Sequence, residues 1–177
     1  MKVVNEDYMC RRARSADIDD IILVIEDARR YLGSRGVDQW QDGFPDRKAI
    51  TCDVNSEISY VITHRGKIAG TFALSPDDEP SYSEIIGNGW LNPAGNYATI
   101  HRVAVSSEYR GRGLSELIFG TCTKEAADLK MHSIRIDTHK DNDVMKHIIL
   151  RNGFTYCGII RLSRDNAERS AYEKLLT

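Results

Sequence analysis

The sequence predicts a mixed α/β fold, and three observations predict it. β-type runs alternate with helical stripes, a two-glycine loop joins an apolar strand directly to an amphipathic helix, and two further β-type runs close the chain. The 177 residues, 41% apolar and 28% charged, have the make-up of one ordinary globular domain, read as residues 1–177.

In order along the chain, Met9 to Ala13 reads as a short strand. From Ser15 the period lengthens, and Ile18, Ile21, Ile22, Ile25, Ala28 and Leu32 form one helical stripe, with Ser15 as expected N-cap and Gly33 as expected terminator. Phe44-Pro45-Asp46 looks like the start of a shorter helix with proline in its first position. Ser59 to Thr63 and Ile68 to Leu74 flank Arg65-Gly66-Lys67, a hairpin pattern. Ser75 to Asn96 is rich in Pro, Gly, Asp and Ser and reads as a long irregular loop. Tyr97 to Val105 is a strand. Leu114, Leu117, Ile118, Cys122, Ala126 and Leu129 mark a long helix, and Ser133 to Thr138 another strand, with Arg135 and Asp137 sharing one face. Val144, Met145, Ile148 and Ile149 form a helical stripe ended by Gly153, and Phe154 to Leu162 and Ala171 to Leu176 are the closing strands.

Composition narrows the functional classes. Lys and Arg number 24 against 26 Asp and Glu, a formal charge of -2, so no overall field favours nucleic acid or a membrane surface. Cys10, Cys52, Cys122 and Cys157 lie far apart without metal-ligand spacing, which suits a reducing cytoplasm and predicts no metal. The first residues are acidic where a signal peptide needs an apolar run, and the longest nearly pure apolar stretch, Ile21 to Ile25, is too short for a bilayer.

The chemistry concentrates in Val103-Ala104-Val105 and the Arg110-Gly111-Arg112-Gly113-Leu114-Ser115 segment that follows. A helix start offers main-chain N–H groups without intrahelical acceptors, and glycine lets a ligand approach them closely. Arg110 and Arg112 add charge, so the turn suits a pyrophosphate. The plainer alternative is a glycine-containing strand–helix connection with exposed arginines. No Gly-Lys-Ser/Thr follows, which excludes a P-loop, and no third glycine completes a dinucleotide fingerprint.

Arg110 to Ser115 resembles the acetyl-CoA signature of the GNAT acetyltransferases, Arg/Gln-x-x-Gly-x-Gly/Ala, with Ser115 in the last position. The next elements arrive in that family's order: strand Ile134 to Thr138, then Asn142, then Gly153-Phe154 eleven residues beyond it. The resemblance covers Tyr97 to Leu162 and, in element order only, the N-terminal half. It implies a GNAT-type acyl-CoA N-acyltransferase fold, a mixed central sheet splayed between two strands with helices on both faces. It also implies acetyl-CoA as cofactor and an amine as acceptor. By the same resemblance, Val103 and Val105 main-chain groups hold the pantetheine arm, residues Arg110 to Ser115 the pyrophosphate, and Asn142 the pantetheine near its reacting end. A main-chain N–H beside a bulge in the first splayed strand would polarise the thioester.

An alkylammonium must lose its proton before it attacks, which at pH 7 costs roughly 4–5 kcal/mol. Asp137, five residues before Asn142, is the leading base; its other reading is a solvated carboxylate paired with Arg135 or Lys140. His101 is second and His139 third, although a lone strand histidine more often packs. Where many relatives carry a leaving-group tyrosine, seven residues after the asparagine, this chain has Ile149. Tyr156 could substitute, or simply pack on the sheet. Trp40 and Phe44 are candidates for an acceptor wall beside Asp38 and Asp42, as is the acidic turn Asp77-Asp78-Glu79; a loop pinned by its aromatics and a solvated turn are the alternatives. Three readings remain open: an N-acetyltransferase, an acyl-CoA-binding sensor without turnover, and a nucleic-acid-binding domain using Arg102, Arg110 and Arg112. Pairing of terminal strands would give a homodimer.

Overall fold

The computed structural model describes residues 7–176. Its strands are β1 (Tyr8–Arg12), β2 (Ser59–His64), β3 (Lys67–Ser75), β4 (Ile86–Gly87), β5 (Tyr97–Val105), β6 (Ser133–Thr138), β7 (Thr155–Arg161) and β8 (Glu168–Leu175). Its helices are α1 (Ile18–Ser34), α2 (Arg47–Asn55), α3 (Leu114–Asp128) and α4 (Asp143–Arg151). The strands hydrogen-bond in the order β1-β2-β3-β5-β6-β8-β7-β4, a mixed sheet in which β5 and β6 are parallel. The chain groups into two compact units. One takes the residues up to Leu74 and Arg102–Thr121; the other takes Ser75–His101 and the chain from Cys122 onward. No helix among the described residues is long and apolar enough to cross a membrane.

In the first unit, β1 and β2 pair antiparallel from Tyr8↔His64 to Arg12↔Tyr60, and β2 turns back into β3. The apolar stripe of α1 packs Ile21, Val24, Ile25 and Ala28 against Ile50 and Val54 of α2 and against Val61 and Ala104. Each fully buried aliphatic side chain of this kind contributes about 1.5–3 kcal/mol.

Both expected ends of α1 are corrected. Ser15 opens a 3₁₀ turn, Ser15–Asp17, and α1 begins after Asp17. The Asp17 carboxylate is the anchor there, accepting from the Arg14 N–H at 2.7 Å and from both terminal nitrogens of Arg11. Gly33 stays inside the helix, where a Cβ would lie 2.7 Å from the Gln41 side-chain oxygen, so its smallness serves packing. Gly36, with φ +72, ends the helix instead: its N–H bonds the Gly33 carbonyl and the Val37 N–H bonds that of Leu32, a Schellman motif. At α2, Pro45 is not the first helical residue. Asp46 caps the helix by accepting from the Ala49 N–H at 2.9 Å, and α2 starts at Arg47.

In the second unit, β8 pairs antiparallel with both β6 and β7. A buried ion pair fastens part of the irregular segment here. Arg135 Nε donates to Glu173 Oε1 at 2.9 Å, and Glu173 also accepts from the Ser133 hydroxyl and the Asn92 N–H. The Arg135 guanidinium donates to the Asn92 carbonyl at 2.7 Å and lies 4.0 Å from the Trp90 ring centre and 3.8 Å from that of Tyr97. Residues 75–96 therefore contain structure the composition hides: a 3₁₀ turn at Pro80–Tyr82 and the short strand β4, paired with β7. Gly158 permits that pairing, since a Cβ there would stand 2.3 Å from the Ile86 carbonyl oxygen.

Candidate functional site

The first candidate site is the β5–α3 connection. The parallel register of β5 with β6 pairs Tyr97–Ile100 with Ser133–Ile136. Two residues past Ile100, Arg102 takes a left-handed φ of 55, unusual for a bulky side chain inside a strand and the mark of a local bulge. Asp53 of α2 holds the Arg102 guanidinium at 2.9 Å, and the guanidinium lies 5.6 Å over the Phe44 ring. Burial pushes the Asp53 carboxyl up, and the Arg102 charge pulls it partly back. Arg102 Nε is buried with no hydrogen-bond partner, so the bulge is kept at some cost.

Beyond the bulge, the Ser106 N–H donates to the Ala69 carbonyl of β3 at 2.9 Å. Main-chain groups alternate along a strand, so Val103 and Val105 present theirs to the opposite edge, away from β3. Ala104 is buried toward the core. The turn then runs through Gly111 (φ +74) and Gly113 (φ +83), and a Cβ on either would meet nothing within 4 Å. The glycines are needed for their backbone angle, and the space over them is open. Leu114 and Ser115 begin α3 with N–H groups that no preceding helical turn can satisfy, while Glu116 N–H turns back to the Gly113 carbonyl. An open, doubly left-handed turn at a helix start fits a pyrophosphate.

The two arginines of the turn differ. Arg110 points into its own unit: Nε donates to the Val105 carbonyl at 3.2 Å, Nη2 to Asp27 of α1 at 3.1 Å, and the guanidinium sits 4.4 Å over the Tyr31 ring. Asp27 accepts from the Ser107 N–H as well. Arg112 is exposed, 5.3 Å over the Tyr109 ring, and carries the cationic charge the turn offers to an anion. Trp40 is packed against the α1–α2 core. Its loop is pinned by Arg29, which donates to the carbonyls of Trp40, Gly43 and Pro45 at 2.8–3.0 Å.

The second unit carries a cluster of titratable groups, Glu79, Tyr82, His101 and Asp137. Asp137 is half-buried and accepts from the Tyr82 hydroxyl at 2.8 Å; its alternative partner Arg135 is committed to Glu173. Burial raises the Asp137 carboxyl to about 6, opposed by the Tyr82 hydrogen bond and the Arg169 charge and reinforced by Glu79. The Tyr82 phenol is pushed well above its usual range, first by burial and then by Asp137. His101 Nε2 lies 3.5 Å from Glu79 Oε2. Glu79 caps the 3₁₀ turn that delivers Tyr82, and the Trp90 indole N–H holds the Tyr82 carbonyl at 3.0 Å. Tyr82 is the member of this cluster that residue patterns do not reveal, and Glu79 was visible only as an acidic turn. The signal available was the Glu-Pro-Ser-Tyr string, a capping residue and proline at a turn start, with a tyrosine three residues on.

Asn142 is the N-cap of α4, its side-chain oxygen accepting from the Met145 N–H at 3.1 Å. His139 Nδ1 accepts from the Asp141 N–H at 3.2 Å, a turn contact. Ile149 is fully enclosed, while Tyr156 is exposed with its ring edge-on to Tyr172.

The model of the acetyltransferase (GNAT) family matches residues 23–154. A GNAT-family acetyltransferase structure from Streptococcus agalactiae is 34% identical, with a TM-score of 0.87 and 96% of each chain covered. One from Listeria monocytogenes shares the fold at 20% identity and a TM-score of 0.74, covering 96% of this chain and 95% of that one. No curated protein matches the chain.

Proposed function

Because this chain belongs to the GNAT acetyltransferase family, we propose that it moves the acetyl group of acetyl-CoA to a primary amine of a small molecule or protein, by direct transfer in a ternary complex. The observation that carries the reading is the Gly111–Gly113 turn, left-handed at both glycines and open above them. Acetyl-CoA would supply an activated thioester. The first N–H groups of α3 and the Arg112 charge would hold its pyrophosphate, and the Val103 and Val105 edge of β5 would receive the pantetheine amides as an added strand. Arg110 Nε already donates to the Val105 carbonyl, an oxygen that keeps a second lone pair for a further donor. A main-chain N–H beside the Arg102 bulge would face the thioester oxygen, where negative charge develops. His101, next to that bulge, and Asp137 are the groups suited to take the acceptor's proton. The wide spacing of the four cysteines in the chain favours a cytoplasmic setting.

A sensor without turnover is favoured by one observation, the enclosed Ile149 where a leaving-group acid would stand. A thiol with a pKa near 8.5 leaves as thiolate at pH 7 for only about 2 kcal/mol, so that gap does not prevent catalysis. The test is thermal unfolding with and without acetyl-CoA, for the parent and Gly113→Asp. Acetyl-CoA at ~100 times its dissociation constant should stabilise the parent by roughly 2.7 kcal/mol and leave the variant unmoved. No shift at millimolar acetyl-CoA would end both the enzyme and the sensor readings. A shift without turnover on an amine panel would leave the sensor.

A further inference from the structure

We propose that Asp53 and Arg102 are a positioning pair: their contact holds the β5 bulge, and through it aims the Val103 N–H at the thioester oxygen. The inference rests on the acetyl-transfer reading above. Within β5, Arg102 takes a left-handed φ of 55, an angle that a long side chain keeps only where its surroundings impose it. Those surroundings are α2 and β3, which belong to the same compact unit as Arg102 and the turn that follows.

Asp53 of α2 receives the Arg102 guanidinium at 2.9 Å, with 8% and 20% of the two side chains exposed. The Phe44 ring centre lies 5.6 Å from the same guanidinium. Two residues on, Ala104 packs in one apolar cluster with Ile50 and Val54 of α2. On the β3 side, a Cβ on Gly70 would lie 3.1 Å from the Ala104 carbonyl oxygen, so glycine lets β3 close against the strand here. Val103 is thus fixed through both of its neighbours, while its own main-chain groups turn to the opposite edge.

Stability does not account for the pair. A buried ion pair is often no better than apolar side chains of similar volume, because both charges must leave water. The balance is poorer than usual here. Arg102 Nε is buried with no hydrogen-bond partner among the described residues, and burial raises the Asp53 carboxyl even against the Arg102 charge. What the pair supplies is direction. A carboxylate fixed on a packed helix sets where the guanidinium lies, and so which backbone angle Arg102 must take.

The test compares the full-length parent with Asp53→Asn and with Asp53→Leu combined with Arg102→Met. Backbone chemical shifts at positions 102 and 103, read without acetyl-CoA, should move away from left-handed values, further in the double variant. With acetyl-CoA isotopically labelled at its acetyl carbonyl carbon, difference infrared spectra read the thioester directly. The parent should lower its stretching frequency, and the double variant should return it toward the free value. On whichever of spermidine, glucosamine, lysine or a lysine peptide the parent acetylates, kcat of the double variant should fall about 100-fold, as for loss of one aimed donor. The KM for acetyl-CoA should change less than about threefold, since the interaction belongs to the transition state. The double variant should melt at or above the parent's temperature, which a merely structural pair would not allow. Asp53→Asn should show the same directions at smaller size, and it carries the test if the double variant does not fold. Unmoved shifts at positions 102 and 103 overturn the proposal, and so does a thioester frequency that stays at the parent's value once those shifts have moved. A parent that acetyl-CoA does not stabilise overturns the acetyl-transfer reading instead, and the shifts then still report whether the pair holds the bulge.

Discussion

Tyr82 donates a 2.8 Å hydrogen bond to Asp137, joining a turn of the irregular segment to the end of β6 across 55 positions of sequence. Burial outweighs that bond and raises the Asp137 carboxyl to about 6, above the roughly 3.9 of an unfolded chain. Between those values the native state keeps a proton that the unfolded state has released. This contribution to stability is therefore complete below about pH 4 and lost as pH rises through 6. Asp137→Asn keeps an acceptor for the Tyr82 hydroxyl and removes the titration. Urea unfolding should show the difference between variant and parent moving in the variant's favour by up to roughly 3 kcal/mol from pH 4 to pH 8. A difference that is flat with pH would mean the carboxyl is not held in this way.

Arg110 offers a second test, because its guanidinium is spent on Asp27, Val105 and Tyr31. Its effect on acetyl-CoA must then come through the shape of the turn. Arg110→Gln and Asp27→Asn should weaken acetyl-CoA binding to similar extents, about 3–30-fold for loss of one partly buried charged hydrogen bond. The double variant should bind no worse than the weaker single, since both remove one contact. Additive losses in calorimetric titration would show that the two side chains act separately.

These two relationships mark where sequence reading stops. Periodicity located α1, α3, α4 and seven strands because each has an apolar face that its own residues repeat, and the Phe44-Pro45-Asp46 start signal located α2. Two-residue β4 carries no period, and its place depends on Gly158, far along the chain. The glycine turn was legible because a left-handed angle next to a helix start is a local demand. The orientation of Arg110 was not, because its acceptor Asp27 lies 83 positions earlier. Glu79 and Tyr82 sit in a stretch whose composition reads as loop, and they become a chemical cluster only when β5 and β6 supply His101 and Asp137. Gly33 misled in a similar way: a residue that looks like a helix end is there to admit Gln41.

The Arg135–Glu173 pair predicts a large asymmetry between single and double variants. Both groups are almost fully enclosed, and Glu173 also serves Ser133 and the Asn92 N–H. Glu173→Ala should cost about 3–5 kcal/mol in urea unfolding, because it leaves a buried cation. Arg135→Met combined with Glu173→Leu should recover part of that loss and no more, since the Asn92 groups and the Ser133 hydroxyl stay without their partners. Full recovery would show that those secondary hydrogen bonds contribute little.

Ile149 gives the last prediction, because it occupies the position where the family resemblance leads one to expect a tyrosine. Its side chain is fully enclosed, and its carbonyl accepts from the N–H groups of Asn152 and Phe154 at the end of α4. A tyrosine there needs more volume than the enclosure holds, and overpacking of this kind costs about 1–3 kcal/mol or more. The return is bounded as well: expelling a thiolate at pH 7 costs only about 2 kcal/mol, so an added acid cannot gain more than roughly 30-fold. Ile149→Tyr should lower the melting temperature and leave kcat at or below the parent, while Ile149→Val should cost about 0.5–1.5 kcal/mol with kcat unchanged. If Ile149→Tyr instead raises kcat at constant stability, leaving-group protonation limits this chain, and the enclosure of Ile149 is a loss of catalysis rather than a different route to it.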